Sequence, residues 1–427
     1  MHKVISLFTG AGGLDLGFEA AGFETAVAVE MDPDAVTTLR FNRDWPVLDR
    51  DIHAVSSQEL ARAGGLGQGQ ASILIGGPPC QPFSKSGYWA HGDAKRLSDP
   101  RATTLEAYLR VLRDLKPTAF LLENVAGLAY QSKDEGVQLL ETTINAINAE
   151  IGTNYSFELA LLNAADYGIP QERERAFIVG HREGRRFQFP EPTHRRLPRG
   201  GGHLPMVDEI EAPQAQLGLF CPQRPVATCA WDAIGDLEDD DDPRLRMKGK
   251  WADLLPSIPE GCNYLYHTER GEGLPLFGWR RRYWSFLLKL ARSRPSWTLQ
   301  AQPGPAVGPF HWKSRRLSAR EMCRLQTFPE GFEVQGNLRS AQRQLGNAVP
   351  SALAEVLARA IRRQFFEDTR LDPRPRLIPT VRPDRPRPEP VAPVAARFLS
   401  LSGDHEAHPG TGQGYRAAQR TAGSAGV

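Results

Sequence analysis

One cysteine of this 427-residue chain stands where a thiol could act as a nucleophile. The apolar run Ser72–Ile75 predicts a strand, and the letters GGPPCQPFS follow it, so that Pro78 and Pro79 precede Cys80. A Pro-Pro pair cannot continue a strand, because each ring fixes φ and removes a backbone donor. Cys80 is therefore expected on a stiff loop at the carboxyl end of a strand. A buried, inert thiol is the commoner role of cysteine, so the remaining chain has to decide.

Further reactive groups follow the other strands of the first 180 residues. The predicted strands are Val4–Phe8, Thr25–Glu30, Ser72–Ile75, Ala119–Glu123, Phe157–Leu162 and Arg175–Val179. Helical patterns such as Leu14–Ala21 and Thr104–Leu115 alternate with them, which predicts a doubly wound α/β sheet with an antiparallel pair formed by the last two strands. Ligands bind beyond the carboxyl ends of such strands. A glycine loop, Glu30, Cys80 and Glu123 are expected to meet there.

The first strand and helix carry the pattern of an adenosine cofactor site. Gly10, Gly12 and Gly13 open the helix that begins near Leu14, and Glu30 follows about 20 residues later, where a carboxylate suits a ribose diol. The letters GAGGLDLG are compatible with NAD, FAD or S-adenosylmethionine. A tight turn whose glycines serve only packing is the alternative.

A thiol, a carboxylic acid and a methyl donor together suit one reaction. Carbon 5 of cytosine is too electron-poor to attack a methyl sulfonium, but addition of a thiolate to carbon 6, with protonation of ring nitrogen 3, makes carbon 5 nucleophilic. A hydride-transferring oxidoreductase has no comparable need for Cys80 on a proline-fixed loop.

The composition indicates the cellular environment of the protein more clearly than its activity. The five cysteines form no CxxC pair, no His/Cys cluster has the spacing of a metal site, and no apolar run suggests a signal peptide or a membrane span. We expect a reduced cytoplasmic protein without a metal. The net charge is only +2, so a nucleic-acid partner would have to be recognised by local patches.

Changes in composition and in apolar periodicity along the chain predict four regions. They are a catalytic, cofactor-binding domain (1–184), a smaller irregular or β domain with a hinge (185–339), a segment returning to the first domain (340–368) and a disordered Pro/Arg-rich tail (369–427). A helix is expected over Ser351–Phe366. The tail carries nine Arg against five Asp or Glu, and its contribution to DNA affinity is left open.

Nine stretches, in order, make the chain resemble the bacterial-type DNA (cytosine-5) methyltransferases. They are LFTGAGGLDLGFEAAGF, VAVEMD, RDI, GGPPCQPFS, DPRATTL, LLENV, GIPQERERAFIVG, RRLSAREMCRLQTFP and QLGNAVPSAL. The resemblance implies a Rossmann-like fold that uses S-adenosylmethionine, with a target-recognition domain that reads double-stranded DNA. It implies that Cys80 is the nucleophile, that Glu123 bonds ring nitrogen 3, and that Arg173 and Arg175 contact the base, the DNA backbone and the active-site loop.

The same resemblance implies the residues around the cofactor. These are Phe8, Gly10, Gly12, Gly13, Leu14, Glu30, Met31, Asp51, Ile52, Pro79, Leu105 and Asn347. The polar segment after Cys80 would close over DNA, and Arg clusters at 195–196, 280–282 and 315–316 could bind phosphates or bases. Arg320 and Glu321 are instead expected to belong to a helix cap that begins at Ser318.

Rival interpretations differ in substrate or in class. A tRNA methyltransferase of the same fold would have a shorter region between Gly180 and Leu317, a nonenzymatic DNA-binding descendant would not need Cys80 and Glu123, and an oxidoreductase leaves both unexplained. Members of the family commonly serve restriction–modification. We therefore expect a monomeric bacterial enzyme paired with a separately encoded restriction endonuclease, because no nuclease domain is evident.

Overall fold

The structure is a computed structural model that describes residues 2–67, 69–79, 103–125, 135–196, 224–279, 282–368 and 374–401. Cys80, the polar segment after it, Arg280 and Arg281 lie outside the described residues. Strands β1–β9 span His2–Leu7, Phe23–Val29, Val47–Leu48, Ile73–Gly76, Ala119–Val125, Ser156–Asn163, Gln171–Glu172, Glu174–His181 and Ser296–Trp297. Helices α1–α9 span Gly13–Ala20, Pro33–Asn42, Ser57–Ala63, Thr103–Leu115, Glu135–Ile151, Ala230–Ile234, Ala319–Leu325, Leu338–Asn347 and Ser351–Phe365.

Seven strands form the central sheet in the order β3-β2-β1-β4-β5-β8-β6. Strands β1 to β5 are parallel, whereas β8 runs antiparallel to both of its neighbours, β5 and β6. This confirms the predicted Rossmann-like α/β fold and the predicted antiparallel pair. Each of the six predicted strands lies within two residues of its expected bounds, because buried apolar runs flanked by Gly or polar residues mark strands clearly, whereas the two-residue strand β3 was not predicted.

Two apolar layers cover the sheet because successive strand residues point to opposite faces. Val4 faces the layer built on α1 and α9, whereas its neighbour Ile5 faces the layer built on α4 and α5. Ile73 and Leu74 of β4 divide in the same way. Burial on both faces explains why these strands are continuously apolar rather than alternating.

Helix α1 lies unusually close to the returning C-terminal segment. A Cβ atom added to Gly13 would stand 2.3 Å from the carbonyl oxygen of Val349, and one added to Gly17 would stand 2.4 Å from that of Ser351. These two glycines lie four residues apart, so they share one helix face. Leu353, Leu357 and Ile361 of the expected apolar stripe of α9 are fully buried in the same layer, and Val356 packs against it partly buried. The return of this segment to the first domain is thereby part of the catalytic core.

Residues 226–316, which we call the second unit, have an apolar cluster of their own but little regular structure. Leu254, Ile258, Phe277 and Phe286 are buried in that cluster. The short strand β9 pairs with β7 next to the central sheet. Helix α7, which follows the second unit, has the predicted capping box of Ser318 and Glu321 and packs with α1 and α8.

The expected disorder of the C-terminal tail is wrong for residues 374–401. The carboxylate of Glu355 accepts hydrogen bonds from the backbone N–H groups of Arg376 and Leu377, and Phe398 is buried in the cluster of the second unit. Prolines reduce the entropy that a chain loses on ordering, so a segment without a core of its own can be fixed by contacts along its length. Residues 369–373 and 402–427 lie outside the described residues.

We predict that Gly17→Ala destabilises the protein. Alanine favours a helix over glycine by about 1 kcal/mol, but backbone atoms of the neighbouring helix lie inside the contact distance of the added methyl group. Separating two packed helices costs about 1–3 kcal/mol, so the steric effect is expected to exceed the helix preference. Denaturant unfolding measures the change.

Gly304→Ala is the matched control, because its added methyl group would meet only a side-chain atom at 3.4 Å. Equal stability of the two variants would contradict the role of α1 packing.

Candidate active site

An acid–arginine pair lies at the carboxyl end of β5. Val125 of β5 faces Arg175 of β8 in the antiparallel register, and Glu123 lies two residues earlier on the same strand. The Nε atom of Arg175 is 3.0 Å from Oε1 of Glu123, and both side chains are largely buried. The sequence predicted both residues for one site, and the fold brings them into contact.

The backbone that leads to Cys80 lies directly beside this pair. A Cβ atom on Gly77 would be 2.8 Å from Oε2 of Glu123, so only glycine lets the loop pass so close. The side chain of Asn124 donates to the carbonyl oxygen of Pro78 at 3.4 Å. Gly77 and Asn124 are positioning residues that the sequence analysis did not single out, although the letters GGPP and ENV contained them.

Burial governs the protonation of Glu123. Desolvation raises the pKa of its carboxyl group above the usual value, while the charges of Arg175 and Arg173 act in the opposite direction. A carboxylic acid whose pKa is raised keeps more of its protonated form near neutral pH, which suits a group that donates to a ring nitrogen.

Arg173 does not take the place expected for a base-contacting residue. Its side chain is fully buried, and its guanidinium donates to the carbonyl oxygens of Leu299 (3.2 Å) and Gly346 (2.8 Å). The expectation of a direct contact with the base or the DNA backbone is therefore not met. The residue instead joins β8 to the second unit and to helix α8, whose last residue is Asn347.

The glycine loop and Glu30 form a second polar site at the same sheet edge. The Oε2 atom of Glu30 accepts from the backbone N–H of Gly10 at 2.6 Å, and Oε1 accepts from those of Met31 (2.9 Å) and Asp32 (2.8 Å). Among the described residues, no atom lies within 4 Å of a Cβ built on Gly10. The carboxylate is fixed in orientation beside an open backbone, as a site for ribose hydroxyls requires.

An apolar wall adjoins this polar site. Ile52 and Leu105 are buried in one cluster, and the ring of Phe8 packs against it. Phe8 itself has a positive φ of 55°, which turns the chain from β1 into the glycine loop. The fixed Glu30 carboxylate, the open backbone at Gly10 and this apolar wall fit the adenosine part of S-adenosylmethionine. When bound, the cofactor supplies an electrophilic methyl group.

The other predicted cofactor residues occupy the same edge with different exposure. Asp51 is exposed and caps the short helix Ile52–Ala54 by accepting from the N–H of His53. Pro79 is exposed, and its carbonyl oxygen accepts from the hydroxyl of Thr104 at 3.3 Å. Met31 and Asn347 are exposed as well, whereas Gly12, Gly13 and Leu14 are buried at the start of α1.

Asp15 is a buried acid that the sequence analysis missed. It lies beneath the glycine loop, fully buried, and accepts from the hydroxyls of Ser6 (3.0 Å) and Thr25 (3.4 Å). Burial raises the pKa of Asp15 to about 7. The hydroxyl of Ser6 also bonds that of Thr9, so a hydrogen-bonded chain extends from Asp15 to the residue before Gly10.

The described ranges contain neither a metal-binding group of side chains nor a membrane-spanning helix. Within them, no group of three or more His, Cys, Asp or Glu side chains is arranged to hold a metal ion. No helix of those ranges is both long enough and apolar enough to cross a membrane.

The sheet order, the glycine loop with Glu30 and the Glu123–Arg175 pair define a Rossmann-like methyltransferase. The model of the C-5 cytosine-specific DNA methylase family matches residues 2–363, and the chain belongs to that family. It is a DNA (cytosine-5) methyltransferase that uses S-adenosylmethionine as methyl donor.

Named relatives cover most of the chain. The type II methyltransferase M.SacI of Streptomyces achromogenes is 40% identical over 385 residues, which cover 85% of this chain and 93% of that protein. M.FnuDI of Fusobacterium nucleatum is 31% identical over 387 residues, covering 86% and 96%. A DNMT2 mutant of Spodoptera frugiperda shares the fold, with a TM-score of 0.55 at 16% identity, covering 84% of this chain and 99% of that one.

We predict that Gly77→Ala lowers the rate of methyl transfer without weakening cofactor binding. The added methyl group would displace the carboxylate of Glu123, whose far end can move only by giving up its position beside Arg175. A displacement of about 1 Å at a reacting group can reduce a rate on the order of a hundredfold. Methylation kinetics and cofactor titration together test this, because cofactor affinity should stay unchanged. A rate within twofold of the wild type would contradict it.

We predict that Asp15→Asn stabilises the protein increasingly as the pH rises from about 4 to about 7, with the full effect above that range. The folded-state pKa of Asp15 exceeds its unfolded value of 3.8, so the stability that Asp15 contributes is present in acid and is lost as pH rises to about 7. Each pH unit in that window changes the difference between variant and wild type by up to roughly 1.4 kcal/mol. Unfolding at about pH 5 and pH 8 measures it.

The exposed Asp44→Asn is the matched control and should show no such trend. A difference for Asp15→Asn that is independent of pH would overturn the prediction.

Proposed function

We propose that this chain is the modification enzyme of a type II restriction–modification system, and that it methylates one cytosine within a short duplex sequence through a covalent Cys80 adduct. The observation that carries the proposal is the Glu123–Arg175 pair beside the Gly77–Pro79 backbone, which ends at Cys80. The names of relatives such as M.SacI and M.FnuDI support the biological setting.

Cys80, Glu123 and Arg175 have distinct roles in the proposed reaction. Cys80, as thiolate, adds to carbon 6, while protonated Glu123 donates to ring nitrogen 3, so that negative charge does not accumulate on the ring. Arg175 orients Glu123 through its Nε contact, while its Nη1 atom donates to the carbonyl oxygen of Glu174 at 2.8 Å. After carbon 5 has gained its methyl group, solvent water takes the carbon 5 proton, the Cys80 thiolate is expelled, and ring nitrogen 3 returns its proton to Glu123, which restores the neutral aromatic ring.

Carbon 6 cannot be reached inside a stacked duplex, so the target cytosine has to be flipped out. We assign Cys80, Glu123 and Arg175 to catalysis and Arg173 to positioning. Binding of the cofactor falls to Phe8, Gly10, Gly12, Gly13, Leu14, Glu30, Met31, Asp51, Ile52, Pro79, Leu105 and Asn347.

The second unit is proposed to read the DNA sequence. It has its own apolar cluster, its strand β9 pairs with β7, and the carbonyl oxygen of Leu299 accepts from Arg173, the residue just before β8. Arg315 is unsuited to phosphate binding, because its guanidinium pairs with the buried carboxylate of Glu321. We further propose that the enzyme acts as a monomer in the bacterial cytoplasm, where the DNA lies, and that a separately encoded endonuclease recognises the same sequence.

The function is tested with purified protein, S-adenosylmethionine, unmethylated mixed-sequence duplex DNA and tRNA in one reaction. The products are sequenced by a method that resolves 5-methylcytosine. Marks confined to one short DNA motif are expected. Marks on tRNA alone would transfer the activity to the rival substrate, and marks scattered over DNA would overturn the restriction–modification role.

We predict that Cys80→Ala abolishes methyl transfer and leaves cofactor binding intact, because the alanine offers no nucleophile to carbon 6. Cys262→Ala is the control: this thiol lies in the second unit, is only partly buried and should be dispensable. Radiolabel transfer and calorimetric cofactor titration provide the two measurements. Methyl transfer by Cys80→Ala at the wild-type rate would refute the adduct.

A further inference from the structure

The described part of the C-terminal tail, residues 374–401, forms a strap that runs from the catalytic core to the second unit. The family match ends at residue 363, so the strap lies beyond it. At its start, both oxygens of the fully buried Glu355 carboxylate on α9 accept from backbone N–H groups of the strap, at 2.8 to 2.9 Å. Leu377 and Ile378 then pack against the layer that contains α1 and α9.

The middle of the strap is attached to helix α6, at the edge of the second unit. The backbone N–H of Arg382 donates to Oδ1 of Asp232, and its Nε donates to the carbonyl oxygen of the same residue, both at 2.9 Å. Its Nη2 atom is 2.8 Å from Oδ1 of Asp236. Arg382 is thereby engaged by its backbone and side chain at once.

The far end of the strap is inserted into the second unit. Phe398 is 2% exposed, and its ring stacks on that of Trp251 with centroids 5.9 Å apart and an interplanar angle of 11°. Arg397 pairs with Asp253 at 2.6 Å, and the backbone N–H of Ala392 donates to the carbonyl oxygen of Pro256 at 3.1 Å. Glu389 pairs with Arg292 and Lys313 of the same unit.

The composition between these attachments makes the strap stiff. Residues 383–393 contain Pro383, Pro386, Pro388, Pro390 and Pro393, and proline-rich segments behave as semi-rigid spacers of about 3.1 Å per residue. A stiff connector that is fixed at both ends limits the angles that the two bodies can adopt. A flexible connector of the same length would not.

We propose that the strap sets the orientation of the second unit relative to the catalytic sheet and thereby determines sequence specificity. The inference rests on the proposed function, in which the second unit reads DNA. A mismatched base pair is rejected only while the side chains that read the bases are held in register with the nucleophile. Tilting of the second unit would let near-cognate sequences reach the catalytic position.

The decisive variant lengthens the strap without removing a contact. A six-residue Gly/Ser insertion after the exposed Arg387 keeps the attachments at Glu355, Asp232 and Phe398 but makes the connection between them flexible. We expect the ratio of kcat/KM on the recognised duplex to that on single-base-pair variants to fall about tenfold, which corresponds to roughly 1.4 kcal/mol of the mismatch penalty. The KM for S-adenosylmethionine should stay unchanged.

Phe398→Ala releases one end of the strap and should lower the same ratio. Leu399→Ala is its matched control, because this neighbouring side chain is 52% exposed and should leave the ratio at the wild-type value. A wild-type ratio in both the insertion variant and Phe398→Ala would overturn the inference, even if their unfolding temperatures fell, because the strap would then only stabilise the fold. A wild-type enzyme without motif-restricted methylation would instead overturn the proposed function, and this inference with it.

Discussion

The close approach of α1 to the returning segment is the constraint on which the rest of the structure depends. Gly13 and Gly17 let the carbonyl oxygens of Val349 and Ser351 come within distances that no side chain would permit. Because α1 also follows the glycine loop, the contact that joins the two ends of the catalytic core fixes the loop as well. The cofactor site thus depends on residues that are more than 300 positions apart in the chain.

A second long-range connection links this core to the catalytic pair. The buried guanidinium of Arg173 donates to the carbonyl oxygens of Leu299 and Gly346. Arg175, two residues further along the chain, pairs with Glu123. Burial of an arginine is unfavourable, and it lowers the pKa of Arg173 well below the usual value. Hydrogen bonds to two carbonyl groups offset that penalty and join the sheet, the second unit and α8 at one point.

The electrostatics of the site follow from the same packing. Desolvation raises the pKa of Glu123 above its usual value, and the nearby arginines oppose that shift, so burial favours the protonated form of the carboxyl group. Gly77 allows the proline-stiffened loop to approach this group without displacing it. The same backbone packing therefore both raises the pKa of Glu123 and places the loop that leads to Cys80 beside it.

By itself, the sequence predicted the main strands of the sheet, most of their bounds and the acid and arginine that meet at its edge, because buried apolar runs and family motifs are local signals. Glu123, Arg175, Glu30 and the glycine loop lie at the sheet edge where those signals put them. Only the tertiary structure decided that Arg173 is buried and that residues 374–401 are ordered. Neither a guanidinium nor a Pro/Arg-rich segment has a local preference for a buried or fixed position. Arg173 is held by Gly346, and the tail is held by Glu355, and only the folded chain brings these partners into contact.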